Sequence, residues 1–563
     1  MKLTRSGVAA SLRWVLTGAA LLGVAGCASP FGRSSSDYGR LPPPERLRQI
    51  DRLPVEHYVK PVSPEDAKKE DPAKAAREKF AGMPEVPMTI EEARASALTN
   101  NLDLKVSLLS PTVAKQSISI EEAAFEAVFT TRALWSETDQ PTSSQLVGAH
   151  DKLYQITPGV TIPLRTGGSA SVSLPMSRDE TNNQFSTLNP AYTSDLDFSI
   201  SQPLLRNAGR EVNATAIKIA SYNEQISESQ TKLAIINQLA AVDRAYWNLY
   251  QARRDLDVRQ QQYDLANAQL EKAQRLVNSG KRAEIEVVRA QSGVADRLDA
   301  IIIAQNTVLQ RQREFKRLMN LPGLDIDTTS RLITKTEPRP VEYMFNPQTL
   351  ANAAEQNRME MMELELRLLA DSANIKLNKN QLLPQLDVTG TWSVNGLGDT
   401  SNSSFRQLRD NKYTDWSLGA TFSTPIGNEA AQGRYRQSLL TRIQRLGSRE
   451  SRKQTIRQEV YDAVDRIDAG WQRILATRQA TILSARTLQA EQRQFEVGTS
   501  TSTNVLDQAT RLAEAQLNEI VAITDYEVAQ VDLAVATGTL LGSQHIRWDP
   551  AEPSKWPPED ETK

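Results

Sequence analysis

IINQLAAVDRAYWNLYQARRDLDVRQQQYDLANAQLEKAQRLVNSG, residues 235–280, has the pattern of one very long helix. No glycine or proline interrupts residues 211–279, and a helix of that length, at about 1.5 Å per residue, would extend for roughly 100 Å. A large residue recurs at every seventh position, and at most of these positions a small residue follows three places later. The large residues are Ile235, Val242, Leu249, Leu256, Tyr263, Leu270 and Val277, and the small ones are Ala245, Ala252, Ala266, Ala273 and Gly280. Such heptads predict antiparallel helices that approach each other closely.

The same spacing continues on the other side of Gly280 and predicts a return helix. Its large residues are Val287, Val294, Ile301, Val308 and Phe315. A second long helix, which turns at Gly498, repeats the register with Val460, Ile467, Ile474, Thr481, Leu488 and Phe495. Each half of the chain therefore contributes an α-hairpin, and we expect an internal twofold repeat: a first copy over 88–329, a linker over 330–345 and a second copy over 346–542.

Strictly alternating segments precede both long helices. Before the second long helix, in PQLDVTGTWSV (384–394) and DWSLGATFST (415–424), apolar residues point one way and small polar residues the other, and Leu196, Phe198 and Ile200 repeat the pattern before the first. This pattern suits a soluble β-sandwich as well as a membrane β-barrel with a wet lumen. A further pair of alternating segments, 153–164 and 169–176, flanks Gly167-Gly168 and predicts an extra hairpin. We expect four barrel strands per chain with this hairpin as a projecting loop, or six if it joins the wall.

The N-terminus predicts a secreted lipoprotein. Lys2, Arg5 and Arg13 precede a short apolar run that ends at Gly26, directly before Cys27. The run is too short to span a bilayer, so it is typical of a signal peptide over 1–26, followed by an acylated Cys27. An ordinary signal peptide with an incidental cysteine is the alternative. Residues 27–87 are rich in proline and predict an extended tether, and 543–563 predict a polar tail.

Composition excludes several classes of function. The chain has 66 basic and 68 acidic side chains, a formal net charge of −2, which argues against a nucleic-acid partner. A single cysteine rules out an intramolecular disulfide, and the three histidines lack ligand spacing. We find no catalytic triad or phosphate-binding loop, and we predict no enzyme activity, no metal site and no cofactor.

Taken together, residues 88–542 resemble the TolC-like outer-membrane factor family. The marks are LLPQLDVTGTWS (382–393), Pro203 and Pro425 before the long helices, the turns that begin at Gly280 and Gly498, and ATGTLLG (536–542). The resemblance implies an α+β membrane protein: a homotrimer whose twelve-stranded transmembrane barrel continues into a periplasmic α-helical coiled-coil barrel. Four strands cannot close alone, and an open sheet edge in lipid would leave amides unsatisfied.

The family likeness also implies function and location. We expect a passive exit duct in the outer membrane, in contact with its lipid, for drugs, metal ions or secreted polypeptides, which a periplasmic adaptor protein and an inner-membrane pump recruit. An adaptor or coiled-coil scaffold lipoprotein is the alternative, although it would carry one hairpin rather than two.

The periplasmic tip is where the family places its gate. By position, Glu286 takes the acidic place in the first turn and Asp507 an acidic place in the second, where Asn504 replaces an acid. Three copies of Asp507 would form a carboxylate ring that favours cations. Lys281 and Arg282 could supply closing contacts from the first turn. Glu286 and Asp507 could equally be solvated acids at helix starts.

Overall fold

The computed structural model describes residues 53, 55–58, 72–143 and 148–546. Cys27, the predicted signal peptide and most of the tether and tail lie outside these residues. The chain divides into two compact units, 1–71 and 72–563. In the first, the described part contains a short 3₁₀ turn at Val55–Tyr58, and the elements below all belong to the second unit.

The second unit combines long helices with one large sheet. Its described helices are α1 Pro72–Glu78, α2 Ile90–Asn100, α3 Leu102–Ala123, α4 Arg210–Asn213, α5 Thr215–Asn278, α6 Ile285–Met319, α7 Pro347–Asn357, α8 Met359–Asn380, α9 Ser401–Arg409, α10 Glu429–Val497, α11 Ser502–Ala536 and α12 Leu540–Ser543. Its described strands are β1 Glu85–Met88, β2 Val128–Asp139, β3 His150–Pro163, β4 Ser169–Ser173, β5 Met176–Thr181, β6 Ala191–Pro203, β7 Arg331–Thr334, β8 Gln385–Gly398 and β9 Thr414–Ser423.

The two predicted hairpins are α5–α6 and α10–α11, and their seams are buried as the heptads require. α5 has 64 residues and α10 has 69. Val242, Leu249, Val460 and Ile467 are each at most 1% exposed, and full burial of such side chains contributes about 1.5–3 kcal/mol each. The small positions allow close approach: a Cβ added at Gly470 would lie 3.1 Å from Tyr526 of α11.

Four helical stretches lie side by side at each level of the helical body. Near the sheet, α3 and α8 pack against the first halves of α5 and α10. Beyond them, α6 and α11 pack against the second halves. The short helices thus continue the line of the return helices.

The sheet is six strands wide rather than four. Six of its strands follow the order β2-β3-β4-β6-β8-β9, and a seventh, β5, pairs with β3 and β6, so that β4 and β5 share one row. Leu174-Pro175 separates these two strands, because proline has no N–H to continue the ladder. The expectation of four strands with a projecting hairpin is therefore corrected: β3 and β4–β5 are internal strands of the sheet.

The turn of the extra hairpin is attached to the start of the helical body. Thr166 O accepts hydrogen bonds from Gly209 N at 2.9 Å and from Gln202 Nε2 at 3.1 Å. Gly167 has a φ of +92°, and a Cβ there would meet Asn207 O at 2.1 Å. A side chain at this position is excluded by both conformation and space. The glycines thus let the turn sit directly on the strand-to-helix junction.

The folded body begins earlier than predicted. Within the proposed tether, α1 buries Ala76 at 7% exposure, and β1 pairs in parallel with β7 of the proposed linker. The hydroxyl of Tyr246 joins β1 to the segment after β7, because it donates to Met88 O at 3.2 Å and accepts from Thr336 N at 2.8 Å. Residues 72–87 are therefore part of the body. None of the described helices has both the length and the apolar character that a transmembrane helix needs.

An ion-pair cluster at the start of α8 makes stability depend on pH. Glu360 accepts from Arg358 at 2.6 Å and from Arg452 at 2.8 Å. Burial alone would raise the pKa of Glu360, but the hydrogen bonds and charge of Arg358, a backbone hydrogen bond and the Arg452 hydrogen bond together lower the pKa to about 2. Because the pKa of Glu360 is lower in the folded chain, its ionised carboxylate stabilises the fold fully at pH values above the unfolded-state pKa near 4.5. This stabilisation is lost as the pH falls towards 2.

We expect Glu360→Gln to reduce the free energy of unfolding by about 2–3 kcal/mol at pH 7. The difference from the native chain should shrink as the pH falls from about 4.5 to about 2. Denaturant titrations of detergent-extracted protein at several pH values measure it. Glu365→Gln is the matched control, because Glu365 is 55% exposed and lies 3.3 Å from Arg449. A loss that is equal at every pH would contradict the linkage.

Candidate functional site

One face of the large sheet is apolar across all six rows. A single line of directly paired residues crosses the sheet from β2 to β9. Its members are Phe129, Val160, Val172, Phe198, Trp392 and Trp416. Directly paired residues point to the same side of a sheet, so this line defines what we call the apolar face. The inserted hairpin contributes Val160 and Val172 to it and follows the same alternation as the other strands.

The opposite face is polar along the neighbouring line. Its members are Thr130, Gly159, Ser173, Asp197, Ser393 and Asp415. Small hydroxyls and carboxylates on one side, with aromatic and aliphatic groups on the other, are typical of a wall between lipid and water. We call this side the polar face. The polar face can line a water-filled passage, whereas the apolar face cannot.

Aromatic and charged side chains mark the end of the sheet that lies farthest from the long helices. Trp135 and Tyr154 stack with ring centroids 6.1 Å apart, and the Arg178 guanidinium lies over the rings of Tyr154 and Tyr192 at 5.7 and 5.9 Å. All four residues belong to the apolar face by register. Such aromatic girdles lie at the interface between hydrocarbon and water in barrel proteins.

Both edges of the sheet are unpaired in the single chain. β2 has 12 residues and β9 has 10, and each offers one free row of backbone donors and acceptors. Their large side chains are exposed as well, with Trp416 at 78% and Phe129 at 68%. Long, flat, apolar edges invite pairing with another chain. The sheet is therefore incomplete by itself.

The predicted prolines stand at the junctions between sheet and helices. Pro203 is the last residue of β6, is buried, and pairs with Asp387 of β8. Pro425 follows β9 by two residues and is exposed. Because proline cannot extend a ladder, both end their strands where the chain turns towards a long helix.

Two glycine turns form the far tip of the helical body. Gly280 ends the α5 turn with a φ of +69°, and Lys281 N donates back to Leu276 O at 3.0 Å. Gly498 ends α10 with a φ of +89°, and Thr499 N donates to Gln494 O at 3.0 Å. Both are the left-handed terminations that glycine favours.

The structure brings Glu286 and Arg282 of the first turn onto the second turn. Glu286 is 7% exposed, and its carboxylate accepts from Ser502 N at 3.1 Å. Arg289 binds the same carboxylate at 2.9 Å. The Arg282 guanidinium donates to Ser500 O at 2.9 Å and lies 5.3 Å from the centre of the Phe495 ring. The two hairpins are thus linked within one chain.

The other predicted tip residues are not part of this link. Lys281 and Asp507 are exposed, and Asn504 contacts its own turn, with Nδ2 3.3 Å from Ser500 Oγ. A partner that the sequence did not reveal is Gln269, whose Nε2 donates to Ser502 Oγ at 2.8 Å while buried in the seam. A polar residue inside a heptad helix belongs to no recognisable sequence motif. The position of Gln269 in the heptad register is therefore the one sequence signal that could have indicated its contact with the second turn.

Comparisons with known proteins agree with this architecture. A model of the family described as "Outer membrane efflux protein" matches residues 169–321 and 350–539. The outer membrane protein TolC of Vibrio cholerae is 24% identical over 304 residues, which is 53% of this chain and 67% of that protein. TolC of Escherichia coli is 24% identical over 338 residues, 57% of this chain and 65% of that protein. The chain thus matches about two thirds of the length of these relatives.

Solved structures share the fold. The CmeC outer membrane channel of Campylobacter jejuni has a TM-score of 0.60 at 14% identity, over 80% of this chain and 86% of that one. The open-state MtrE outer membrane channel of Neisseria gonorrhoeae has a TM-score of 0.57 at 15% identity, over 80% and 89%. The matched family is one of outer membrane efflux proteins rather than of enzymes, as predicted. The resemblance to TolC-like proteins is likewise confirmed, and since the family model matches more than half of the sequence, the chain belongs to the outer membrane efflux protein family.

Proposed function

We propose that three copies of this protein form an exit duct through the outer membrane, which an inner-membrane pump reaches through a periplasmic adaptor protein. The observation that carries this proposal is the two-faced sheet with two unpaired edges. If β9 of one copy pairs with β2 of the next, the edges disappear and every backbone amide is satisfied in lipid. The apolar face then contacts hydrocarbon and the polar face lines the passage. Nothing in such a wall couples energy, so the duct is passive.

We further propose that the wall has eighteen strands rather than twelve. Four helical stretches per chain give twelve in a trimer, and twelve helices with axes about 9–10 Å apart enclose a perimeter of roughly 110–120 Å. Eighteen strands about 4.8 Å apart and tilted by about 40° need roughly 110 Å. Twelve strands of the same tilt need only about 75 Å. The six-stranded sheet therefore suits the width of the helical body, without a constriction where the two meet.

The tip is the proposed gate. Arg282 and Glu286 join the two hairpins of each chain, while the exposed Asp507 is free to face the axis. In a trimer, three Asp507 carboxylates form a ring that attracts cations and repels anions. Opening requires the hairpins to separate, and the link through Ser500, Ser502 and Phe495 opposes this separation.

Arg282→Ala removes one hydrogen bond and one cation–π contact from that link. We expect the variant to spend more time open, because interactions of these kinds contribute about 1–3 kcal/mol together. The measurement is single-channel current in a planar bilayer, where the open fraction should rise several-fold. Lys281→Ala is the matched control, since Lys281 is the exposed neighbour with the same charge. Equal open fractions in the two variants would refute a role of Arg282 in closure.

Anchoring of the mature chain through Cys27 completes the proposal. Two or more acyl chains would hold the N-terminus stably at the membrane, whereas one would not. Metabolic labelling with palmitate should mark the native chain and leave Cys27→Ser unlabelled. Label that persists in the variant would place acylation elsewhere.

The function itself is tested on protein extracted from outer membranes in mild detergent. We expect a gel band of the oligomer that heating converts to monomer. Cross-linking should give monomer, dimer and trimer and no larger species, and the reconstituted protein should show cation-selective conductance. A monomer in the inner-membrane fraction, without conductance, would overturn the duct and favour an adaptor or scaffold.

A further inference from the structure

The loop between β8 and β9 contains a helix, α9, that lies on the apolar face of the sheet. Ser404 of α9 is fully buried, and its hydroxyl is 2.8 Å from that of Ser194 on β6. Gln407 accepts a hydrogen bond from Leu397 N at 2.6 Å. Ser194 shares its side of the sheet with Leu196, Phe198 and the other apolar residues. The helix therefore occupies the side that the proposed duct turns towards lipid.

Glycines on β8 create the space for this contact. A Cβ added at Gly396 would lie 2.3 Å from Ser404 O, and one at Gly398 would lie 2.7 Å from Ser404 N. Both collisions are with backbone, which cannot move aside as a side chain can. Only glycine at these two positions allows α9 to approach so closely. The helix is thus seated by the sheet itself, at the level of the aromatic girdle, since Gly398 pairs with Tyr192.

An open groove of about 790 Å³ runs between α9 and the apolar face. Its floor is Leu196, Trp392 and Val394, which belong to the apolar face. Its helical side carries Phe405, Arg406 and Arg409. On a helix, residues separated by three or four positions lie on one stripe, so the aromatic ring and both guanidinium groups border the same groove. An apolar floor beside two cations has the layout of a site for an anionic amphiphile.

The two arginines are poorly neutralised by the protein. Among the described residues, the one carboxylate paired with either is Asp410, at 3.9 Å from Arg409, and both partners are largely exposed. Such a pair contributes little. Guanidinium groups bind phosphate oxygens in a bidentate manner, and amphipathic helices with cationic faces lie at the boundary of headgroups and acyl chains. The charge of the groove therefore complements a phosphorylated lipid.

We propose that this groove binds one anionic, phosphate-bearing lipid of the outer leaflet per chain, with an acyl chain on the floor and the phosphate on Arg406 and Arg409. The proposal rests on the proposed function, since it takes the apolar face to contact lipid. The bound lipid covers Trp392, which is 41% exposed in the single chain. It also fixes α9 against the wall beside the mouth of the duct.

Native mass spectrometry of the full-length, detergent-extracted oligomer tests the site. Titration with diphosphoryl lipid A should give saturable binding of one lipid per chain. Phosphatidylcholine and inorganic phosphate should not compete. In Arg406→Ala/Arg409→Ala the affinity should fall about tenfold or more, because two charge-assisted hydrogen-bonding groups are lost. Arg486→Ala/Arg493→Ala, which removes two exposed arginines of α10, is the matched control and should bind like the native chain.

Equal affinity in both double variants, or competition by phosphatidylcholine, would overturn the lipid site. Competition by inorganic phosphate would show an anion site without the acyl component and would overturn it too. Conductance of the same preparations in a phosphatidylcholine bilayer separates the two proposals. A native oligomer that conducts but binds no lipid A would refute the groove alone, and one that fails to conduct would refute the duct.

Discussion

Val172→Lys is expected to abolish the stable oligomer, whereas Ser173→Lys is expected to leave it intact. Val172 lies in the inserted hairpin on the apolar face, between Val160 and Phe198 in register. If that face contacts hydrocarbon, a lysine near the middle of the bilayer costs about 2–4 kcal/mol in each chain. Ser173 is its neighbour on the polar face, where a lysine would reach water. The measurement is the amount of heat-sensitive oligomer in the outer-membrane fraction.

The comparison distinguishes a strand of the wall from a projecting hairpin. A hairpin outside the membrane would tolerate both lysines equally, and that result would contradict an eighteen-stranded wall. A second measurement uses uncharged cysteine variants, so it does not depend on whether the lysine variant inserts into the membrane. A fluorophore attached to Val172→Cys should be quenched by lipids with brominated acyl chains, and one attached to Ser173→Cys should not.

Arg94→Ala is expected to destabilise the helical body by about 3–5 kcal/mol at neutral pH. Asp243 of α5 is 0% exposed, and Arg94 of α2 binds both of its oxygens, at 2.7 and 3.0 Å. Burial raises the pKa of Asp243, and the Arg94 hydrogen bonds oppose this increase. Without Arg94, Gln544 would be the remaining donor to the buried charge among the described residues, at 2.8 Å.

The pH dependence identifies the cause of that loss. A raised pKa in the folded state favours folding at low pH, where the carboxyl is protonated, and opposes it as the pH rises. The deficit of Arg94→Ala should therefore shrink in acid, when Asp243 becomes neutral. Denaturant titrations at neutral and acidic pH measure it. Lys74→Ala, which breaks an exposed pair of 4.0 Å with Glu78, should change little, and an equally large loss there would show that general charge effects dominate.

The helical body was predictable because its signal is local and repeated. The seven-residue spacing placed Leu249, Ile301 and Ile467 in buried seams, and each is at most 2% exposed. The glycine turns followed from the same reasoning, since a heptad pattern that stops at Gly280 and resumes at Val287 leaves room only for a tight reversal. These side chains are buried by residues of the neighbouring helix that occupy the matching heptad positions, which the sequence already identifies.

The width of the sheet and the contacts of the tip were not predictable in the same way. Alternation in residues 153–176 indicated a hairpin, but its inclusion in the sheet depends on the pairing of β3 with β2 and of β4 with β6, which no period encodes. α9 was not predicted because nine residues are too few to show a helical period. At the tip, Arg282 and Glu286 were named from position, whereas Gln269 lay inside a heptad with nothing to distinguish it.

The turn of the inserted hairpin at Thr166 has a consequence for how such ducts can vary. A barrel keeps its inside and outside only if strands are added in pairs, so its wall widens by one hairpin per chain or not at all. The helices at each level are unaffected by such an insertion, because the chain returns to the same junction before α5 begins. In the proposed duct, the bore at the membrane and the bore in the periplasm are therefore separate variables, and the first changes in discrete increments.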